Sequence, residues 1–220
     1  MRWMLQELCA GKSAVVVVKS VPKEWELRSL VRGSWGQRLA ELNISVVFAL
    51  GLETGTDQAA IDSESHHNQD ILQASYNDTY ATQTRKSFSV IHWWGNLLPN
   101  NCTQPLPAFL LLIDRDTVIH PANLAAFLTR LTGSASAEAI HGHCADGSKP
   151  IRDPANKYYI PERLYQPSIY PRYCSGMRSG YILPTSFVSR MAQLDWDESW
   201  VKAFFIDDAL VSGIAPDYLG

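Results

Sequence analysis

The sequence predicts an α/β protein whose mostly parallel sheet is covered by helices on both faces. Two observations predict it. Short apolar runs without polar alternation, at 14–19, 45–50 and 110–114, read as strands buried on both faces. Between them lie segments whose apolar residues recur at helical spacing, giving the strand–helix alternation of a parallel sheet. With 220 residues, 46% hydrophobic and 19% charged, the chain can bury the core of one globular domain.

Taken in order, residues 14–19 are β-branched and apolar and predict a central strand. Residues 25–35 follow as a helix, with Trp25, Leu27, Leu30, Val31 and Trp35 making its stripe. Residues 45–50 predict the next strand, ending at Gly51, and the polar stretch 53–68 a variable loop or weak helix. Residues 70–73 predict a short strand. Residues 79–94 predict a helix with Tyr80, Thr84, Phe88, Ile91 and Trp94 on one face. A proline-rich break at 99–107 leads into Leu110-Leu111-Leu112-Ile113-Asp114-Arg115-Asp116. Pro121 suits the first turn of a helix running to about Leu131. Residues 146–174, rich in Pro, Tyr and Arg, predict an irregular surface. A helix over 185–194 and an element at Asp207-Asp208 close the chain.

The net charge of -3 gives no basic footprint for nucleic acid. The run at 14–18 is far too short to span a bilayer, and the first residues lack the apolar core of a signal peptide. Cys9, Cys102, Cys144 and Cys174 contain no C-x-x-C pair, which argues against zinc. They are open to two readings: disulfides in a lumenal protein, or buried thiols in a cytosolic one. The sequons at Asn43, Asn77 and Asn101 tilt the choice toward a secretory compartment.

Several side chains are candidates for chemistry. Strand alternation puts Asp114 and Asp116 on one side with Arg115 facing away. Paired carboxylates repel, and a hard divalent cation carrying a phosphorylated substrate would relieve them; a polar turn at the strand end is the plainer reading. Arg28 and Arg32 lie one helical turn apart and could hold a phosphate or simply face solvent; Lys86 has the same two readings. Asp207-Asp208 could supply a general base or cap a helix. Tyr170-Pro171-Arg172-Tyr173-Cys174-Ser175-Gly176 offers rings for stacking and a glycine for close approach. His66-His67 and His141-x-His143 lack partners at ligand spacing and read as surface residues.

In order, these pieces resemble the β-1,3-galactosyltransferase and β-1,3-N-acetylglucosaminyltransferase family. Lys19-Ser20-Val21-Pro22 and Arg28-Ser29-Leu30-Val31-Arg32-Gly33-Ser34-Trp35-Gly36 match its opening K-S-x-P and R-x-x-I-R-x-T-W-G. Asp70-Ile71-Leu72-Gln73, Asp78-Thr79-Tyr80 and Lys86-Ser87 follow, then Asp114-Arg115-Asp116 with Asn123-Leu124 beyond it. Tyr170-Pro171-x-Tyr173-Cys174-Ser175-Gly176, Gly180-Tyr181 and Asp207-Asp208-Ala209 with Gly213 complete the series. The match spans about 14–215.

The resemblance implies a GT-A fold in a single domain over 1–220. Residues 14–131 would form the nucleotide-sugar half and 132–220 the acceptor half. It implies an inverting transfer of a hexose, galactose by the family's broadest label, from a UDP-sugar to the 3-hydroxyl of an acceptor glycan on a glycoprotein or glycolipid. It implies Mn²⁺ (or Mg²⁺) and a type II membrane enzyme of the Golgi lumen, held by an anchor absent from this chain. Position by position, Asp114 and Asp116 would address ribose and metal–diphosphate, with Asp116 the direct ligand. Arg28, Arg32, Asp70 and Lys86 would line the nucleotide side. Asp208, or Asp207 if the register slips, would be the base, and Tyr173, Gly176, Gly180 and Tyr181 the sugar region.

Departures from the pattern are specific. Leu112 stands where the family has lysine, two extra residues fall within Met177-Arg178-Ser179, and Ala209-Leu210 replace V-Y or V-F. The helix motif reads Ala81-Thr82-Gln83-Thr84-Arg85 in place of an N-L-T-L core. The chain stops before the expected C-terminal histidine, so the expectation is a domain lacking its anchor and its C-terminal end. The alternative function is a non-catalytic member that binds nucleotide sugar or a glycoprotein partner. A different nucleotide-binding α/β enzyme is disfavoured, because no glycine-rich loop follows the first strand.

Overall fold

The computed structural model describes residue 8 and residues 11–97, 102, 105–175 and 180–220. Gly176, Asn101, the inserted 177–179 and part of the 99–107 break lie outside them. Strands β1 (Ala14–Lys19), β2 (Ile44–Leu52), β3 (Ile71–Asn77) and β4 (Phe109–Asp114) run parallel, and β8 (Tyr181–Pro184) and β5 (His141–Gly142) complete a six-stranded sheet. The order is β3-β2-β1-β4-β8-β5, with β8 antiparallel to β4 and β5 antiparallel to β8. A second, two-stranded sheet pairs β6 (Cys144–Ala145) with β7 (Tyr173–Cys174), and a disulfide joins the register partners Cys144 and Cys174. This resolves the alternatives left open for two of the cysteines.

All six residues of β1 are buried, because both faces are covered. On one face Val16, Val18, Phe48, Leu50, Leu111 and Ile113 pack against α1 (Trp25–Val31), α2 (Gln37–Glu41), α3 (Gln58–Asn68) and α5 (Pro121–Leu131). On the other, Val15, Val17, Val47, Leu110 and Leu112 meet α4 (Gln83–His92), α6 (Thr185–Ala192) and the turn that precedes α9 (Ala215–Leu219). Burial of this kind contributes roughly 25 cal/mol per Å² of apolar surface and dominates the fold's stability. A smaller cluster of Ile160, Tyr170, Phe204, Ala209 and Leu210 underlies the irregular segment. It draws on α8 (Asp207–Ala209), which follows α7 (Glu198–Ala203).

The helix expected over 25–35 is interrupted. After Val31 the backbone widens through Arg32–Gly36, where Ser34 leaves helical geometry (φ -122°, ψ -112°) and its hydroxyl donates to the Leu30 carbonyl at 2.6 Å. The polar 53–68 stretch holds the full helix α3, because Asp57 caps its start and Gln69 ends it in the left-handed region at φ 56°. Residues 146–174 are irregular as expected. There Arg152 takes the place of a regular layer, donating to the carbonyls of Ile160, Tyr165 and Pro167. Among the described residues no helix is long and apolar enough to cross a membrane.

One expectation fails at an important point. Strand β4 ends at Asp114, and the amide of Thr117 closes a turn onto the Asp114 carbonyl at 3.0 Å. Alternation therefore does not carry through to Asp116, which lies on the turn after the strand.

Candidate active site at the carboxyl edge of the sheet

The chain steps from β1 to β2 to β3 in one direction and then returns to the other side of β1 as β4. That reversal falls at the carboxyl ends of β1 and β4, the usual ligand position in open α/β sheets. Lys19 and Asp114, the last residues of the two strands, are register partners there. The Lys19 ammonium lies 2.9 Å from Asp114 Oδ1 and 2.8 Å from Asp207 Oδ2, bridging β4 to the start of α8. Ser87 on α4 donates to the same Asp207 oxygen at 2.6 Å. The protein itself thus places a positive charge beside Asp114. Sequence reasoning gave Lys19 no role, although a lone lysine ending a wholly apolar strand was the available signal.

The electrostatics follow from this geometry. Burial opposes charge on Lys19, but the Asp207, Tyr181 and Asp114 side chains outweigh it and hold the amine well above its ordinary value. Burial likewise works to raise Asp207. The Lys19 charge and the hydrogen bonds from Lys19 and Ser87 prevail and keep it below the ordinary carboxylate value. A carboxylate so occupied is a poor proton acceptor. Its neighbour Asp208 is half-buried on the same short helix and close enough to contribute to the field at Lys19.

Lys86 reaches the same edge from α4. It pairs with Asp78 at 2.8 Å and donates to the Ser20 carbonyl at 2.5 Å, tying the ends of β1 and β3 together. Asp78 also accepts from the Gly51 amide at 2.8 Å. Burial outweighs the pairing with Asp78 and lowers the Lys86 amine below its ordinary value. Asp116 is exposed on the turn after β4, and Arg115 pairs with Glu24 at 3.1 Å.

The structure does not bring the other expected residues into this cluster. Arg28 is 0% exposed; it donates to Glu64 through two nitrogens and to the Val21 and Pro22 carbonyls, closing the loop after β1. Arg32 makes a two-point pair with Asp70 at 2.7 and 2.8 Å and a further bond to Glu64. Asp70 precedes the first residue of β3, so this pair sits at the start of that strand and not at its carboxyl end. Glu64 was absent from the expected set because nothing in a sequence marks a partner 32 or 36 residues away.

The expected sugar region is also corrected. Tyr181 is 1% exposed and lies in β8 opposite Leu112, so its ring cannot stack on a ligand at the surface. Gly180 adopts φ +70°, where a side chain would be strained and would run into the Leu112 carbonyl. Tyr173 packs in β7 against the turn at Gly213. The sequon residues Asn43 and Asn77 are exposed. A pocket of about 650 Å³ lies elsewhere, lined by β3, α4 and α7 residues such as Tyr76, Phe88 and Val201, and none of the candidate carboxylates lines it.

Among the described residues no three His, Cys, Asp or Glu side chains converge into a closed metal site. Among the described residues Asp114 is paired with Lys19, and Asp116 on the turn offers an exposed carboxylate. That fits a hard divalent cation shared with a ligand's own phosphate oxygens, since both supply oxygen.

Comparison with known proteins identifies the family. The human acetylgalactosaminyl-O-glycosyl-glycoprotein β-1,3-N-acetylglucosaminyltransferase is 32% identical over 234 residues, covering 97% of this chain and 57% of its own length. The rat lactosylceramide 1,3-N-acetyl-β-D-glucosaminyltransferase is 26% identical, with 98% and 57% covered. A bovine UDP-GlcNAc:betaGal β-1,3-N-acetylglucosaminyltransferase 9 is 29% identical, with 91% and 51% covered. The chain thus spans about half the length of the curated relatives it matches. The family model described as Galactosyltransferase covers residues 26–220, and this chain belongs to that family.

Proposed function

We propose that this chain carries the core of an inverting, UDP-sugar-dependent β-1,3-glycosyltransferase. The observation that supports it best is the Lys19 bridge. By binding Asp114 and Asp207 together it draws the D-x-D turn and the second acidic pair into one cluster at the switch point of the sheet. A donor and an acceptor can meet there with an acid group on each side of the transferred sugar.

In the proposed reaction the acceptor's 3-hydroxyl attacks the anomeric carbon of the donor while Asp208 takes its proton. The bond to the diphosphate breaks with its electron pair leaving on UDP. A single in-line displacement inverts the anomeric configuration, giving a β product from an α-linked donor. Asp207, neutralised by Lys19, orients the helix that carries Asp208 and does not itself act as base. Asp116 is the residue that would hold a divalent cation, which when bound neutralises charge growing on the departing diphosphate.

In place of the galactose implied by the family label, N-acetylglucosamine is the proposed sugar, because the three relatives above carry that sugar in their names. A glycan ending in galactose or N-acetylgalactosamine on a glycoprotein or glycolipid is the proposed acceptor. The Golgi lumen is the proposed setting, supported by the Cys144–Cys174 disulfide, a bond that persists in oxidising compartments.

The test is a transfer assay with UDP-GlcNAc, UDP-Gal and UDP-GalNAc against a β-galactoside acceptor, with and without Mn²⁺. A β-1,3-linked N-acetylglucosamine product is expected. UDP binding without transfer from any donor would instead favour the non-catalytic reading.

A further inference from the structure

Three aromatic residues from separate parts of the chain stand together beside the acidic cluster, and the reaction above gives them no task. Tyr80 opens the turn Tyr80–Thr82 just after Asp78, Tyr158 comes from the irregular segment, and Phe205 precedes Asp207 by two residues. The Tyr80 ring centroid lies 6.4 Å from that of Tyr158 and 6.4 Å from that of Phe205, with tilts of 59° and 55°. The Lys157 ammonium sits 4.5 Å from the Tyr158 ring and 5.7 Å from the Tyr80 ring.

This group is built into the site. The Thr84 hydroxyl donates to the Phe204 carbonyl at 2.5 Å and Ser87 holds Asp207, so α4 fixes the segment carrying Phe205 and Asp208. The chain sorts two adjacent phenylalanines: Phe204 is fully buried, while Phe205 is left half-open. Tyr80 is 54% exposed. Leaving large rings in water forgoes burial energy, and clustered exposed rings mark a binding surface more often than scattered ones do. Charge agrees with proximity to the cluster. Burial, then the Tyr158 contact, then Asp207 and Asp114 push the Tyr80 hydroxyl up, and Tyr158 is held down by Lys157 and Tyr80 against the opposing field of Asp208.

A pyranose suits such a wall. One of its faces is a patch of C–H groups that packs on aromatic rings, and its hydroxyls can accept from an ammonium and exchange hydrogen bonds with phenols. We propose that Tyr80, Tyr158 and Phe205, with Lys157, form the subsite that stacks the acceptor's terminal hexose beside Asp208. This rests on the glycosyltransferase reading and replaces Tyr173 and the buried Tyr181 as the sugar-contacting aromatics.

The experiment titrates lactose, as a neutral β-galactoside, against the protein by saturation-transfer NMR, with UDP binding and the thermal melt recorded on the same samples. Tyr80→Ala and Phe205→Ala are expected to weaken lactose at least tenfold, Tyr80→Phe no more than about threefold, and none should change UDP affinity. Because Tyr80 is largely exposed, its variants should melt as the parent does. Lactose affinity unchanged in both alanine variants, no lactose binding by the parent, or a loss of UDP affinity without loss of lactose overturns the subsite. Failure of the parent to bind UDP, with lactose behaving as expected, removes the glycosyltransferase reading but keeps the sugar site.

Discussion

Lys19 and Asp114 end adjacent parallel strands as register partners, and a 2.9 Å ion pair joins their side chains at the edge where the sheet reverses its order. The same ammonium reaches Asp207, so one buried cation serves two acids from distant parts of the chain. Burying the charges of Lys19 and Asp207 is tolerable only while they satisfy each other.

Removing that cation should be costly. Lys19→Met leaves Asp207 buried without its counter-charge, and breaking a buried pair from one side costs about 3–5 kcal/mol. Urea unfolding of the variant should show a midpoint lowered accordingly, with partial recovery in the double variant Lys19→Met/Asp207→Asn. An unchanged midpoint for Lys19→Met would show that the bridge does not hold the cluster together.

Stability should fall at both ends of the pH scale for identifiable reasons. Asp207 and Glu64 have folded values depressed below their ordinary 3.8 and 4.5, Glu64 because its bonds to Arg28 and Arg32 overcome the effect of burial. Their contributions are complete above those ordinary values and vanish as the pH drops through the depressed ones. Lys19 is raised above its ordinary 10.5, so its contribution is complete below that pH and is lost on further alkalinisation. Melting temperatures recorded from pH 2 to 12 should therefore decline below about pH 4.5 and again above about pH 10.5. In Asp207→Asn the acid limb should flatten; an identical acid limb in parent and variant would remove Asp207 from this account.

The disulfide should carry measurable stability. Cys144 and Cys174 are 30 residues apart and close the irregular segment into a loop. Constraining a loop of that size in the unfolded chain is worth about 3–4 kcal/mol on the chain-entropy model. Cys144→Ser/Cys174→Ser should lower the unfolding free energy by that amount while leaving UDP affinity nearly unchanged, since neither residue meets the Lys19 cluster.

The strands β1, β2 and β4 and the helix α5 were legible because doubly covered strands are written as unbroken apolar runs and a proline marks a helix start. Strand β3 was only half legible: its second part contains Ala74, Ser75 and Asn77, which carry little strand signal. Helix α3 buries Ile61 alone among its apolar residues, so its start at Asp57 and its end at Gln69 defined it better than any stripe. Strands β5, β6 and β7 have two residues each, too few for any periodicity. At the site, motif order named Asp114 and Asp207 but could not show that Lys19 joins them, or that the strand gives way to a turn after Asp114, because both depend on contacts between distant segments.

The proposed division of roles among the acids gives the most decisive prediction. Asp208→Asn removes the proposed proton acceptor but leaves the Lys19 cluster and the Asp114 turn intact. Transfer should fall by about 10²–10⁴-fold, the usual worth of a positioned base, while UDP affinity measured by calorimetry stays within about twofold. Asp116→Ala should do the reverse to binding: any cation-dependent part of UDP affinity should disappear, because the open oxygen donor on the turn is gone. Asp207→Asn should chiefly lower the melting temperature, since its charge is already committed to Lys19 and Ser87. Equal losses of UDP affinity in the Asp208 and Asp116 variants would show that the two acidic motifs do not have separate roles. A larger loss of turnover in Asp207→Asn than in Asp208→Asn, at equal stability, would transfer the base to Asp207.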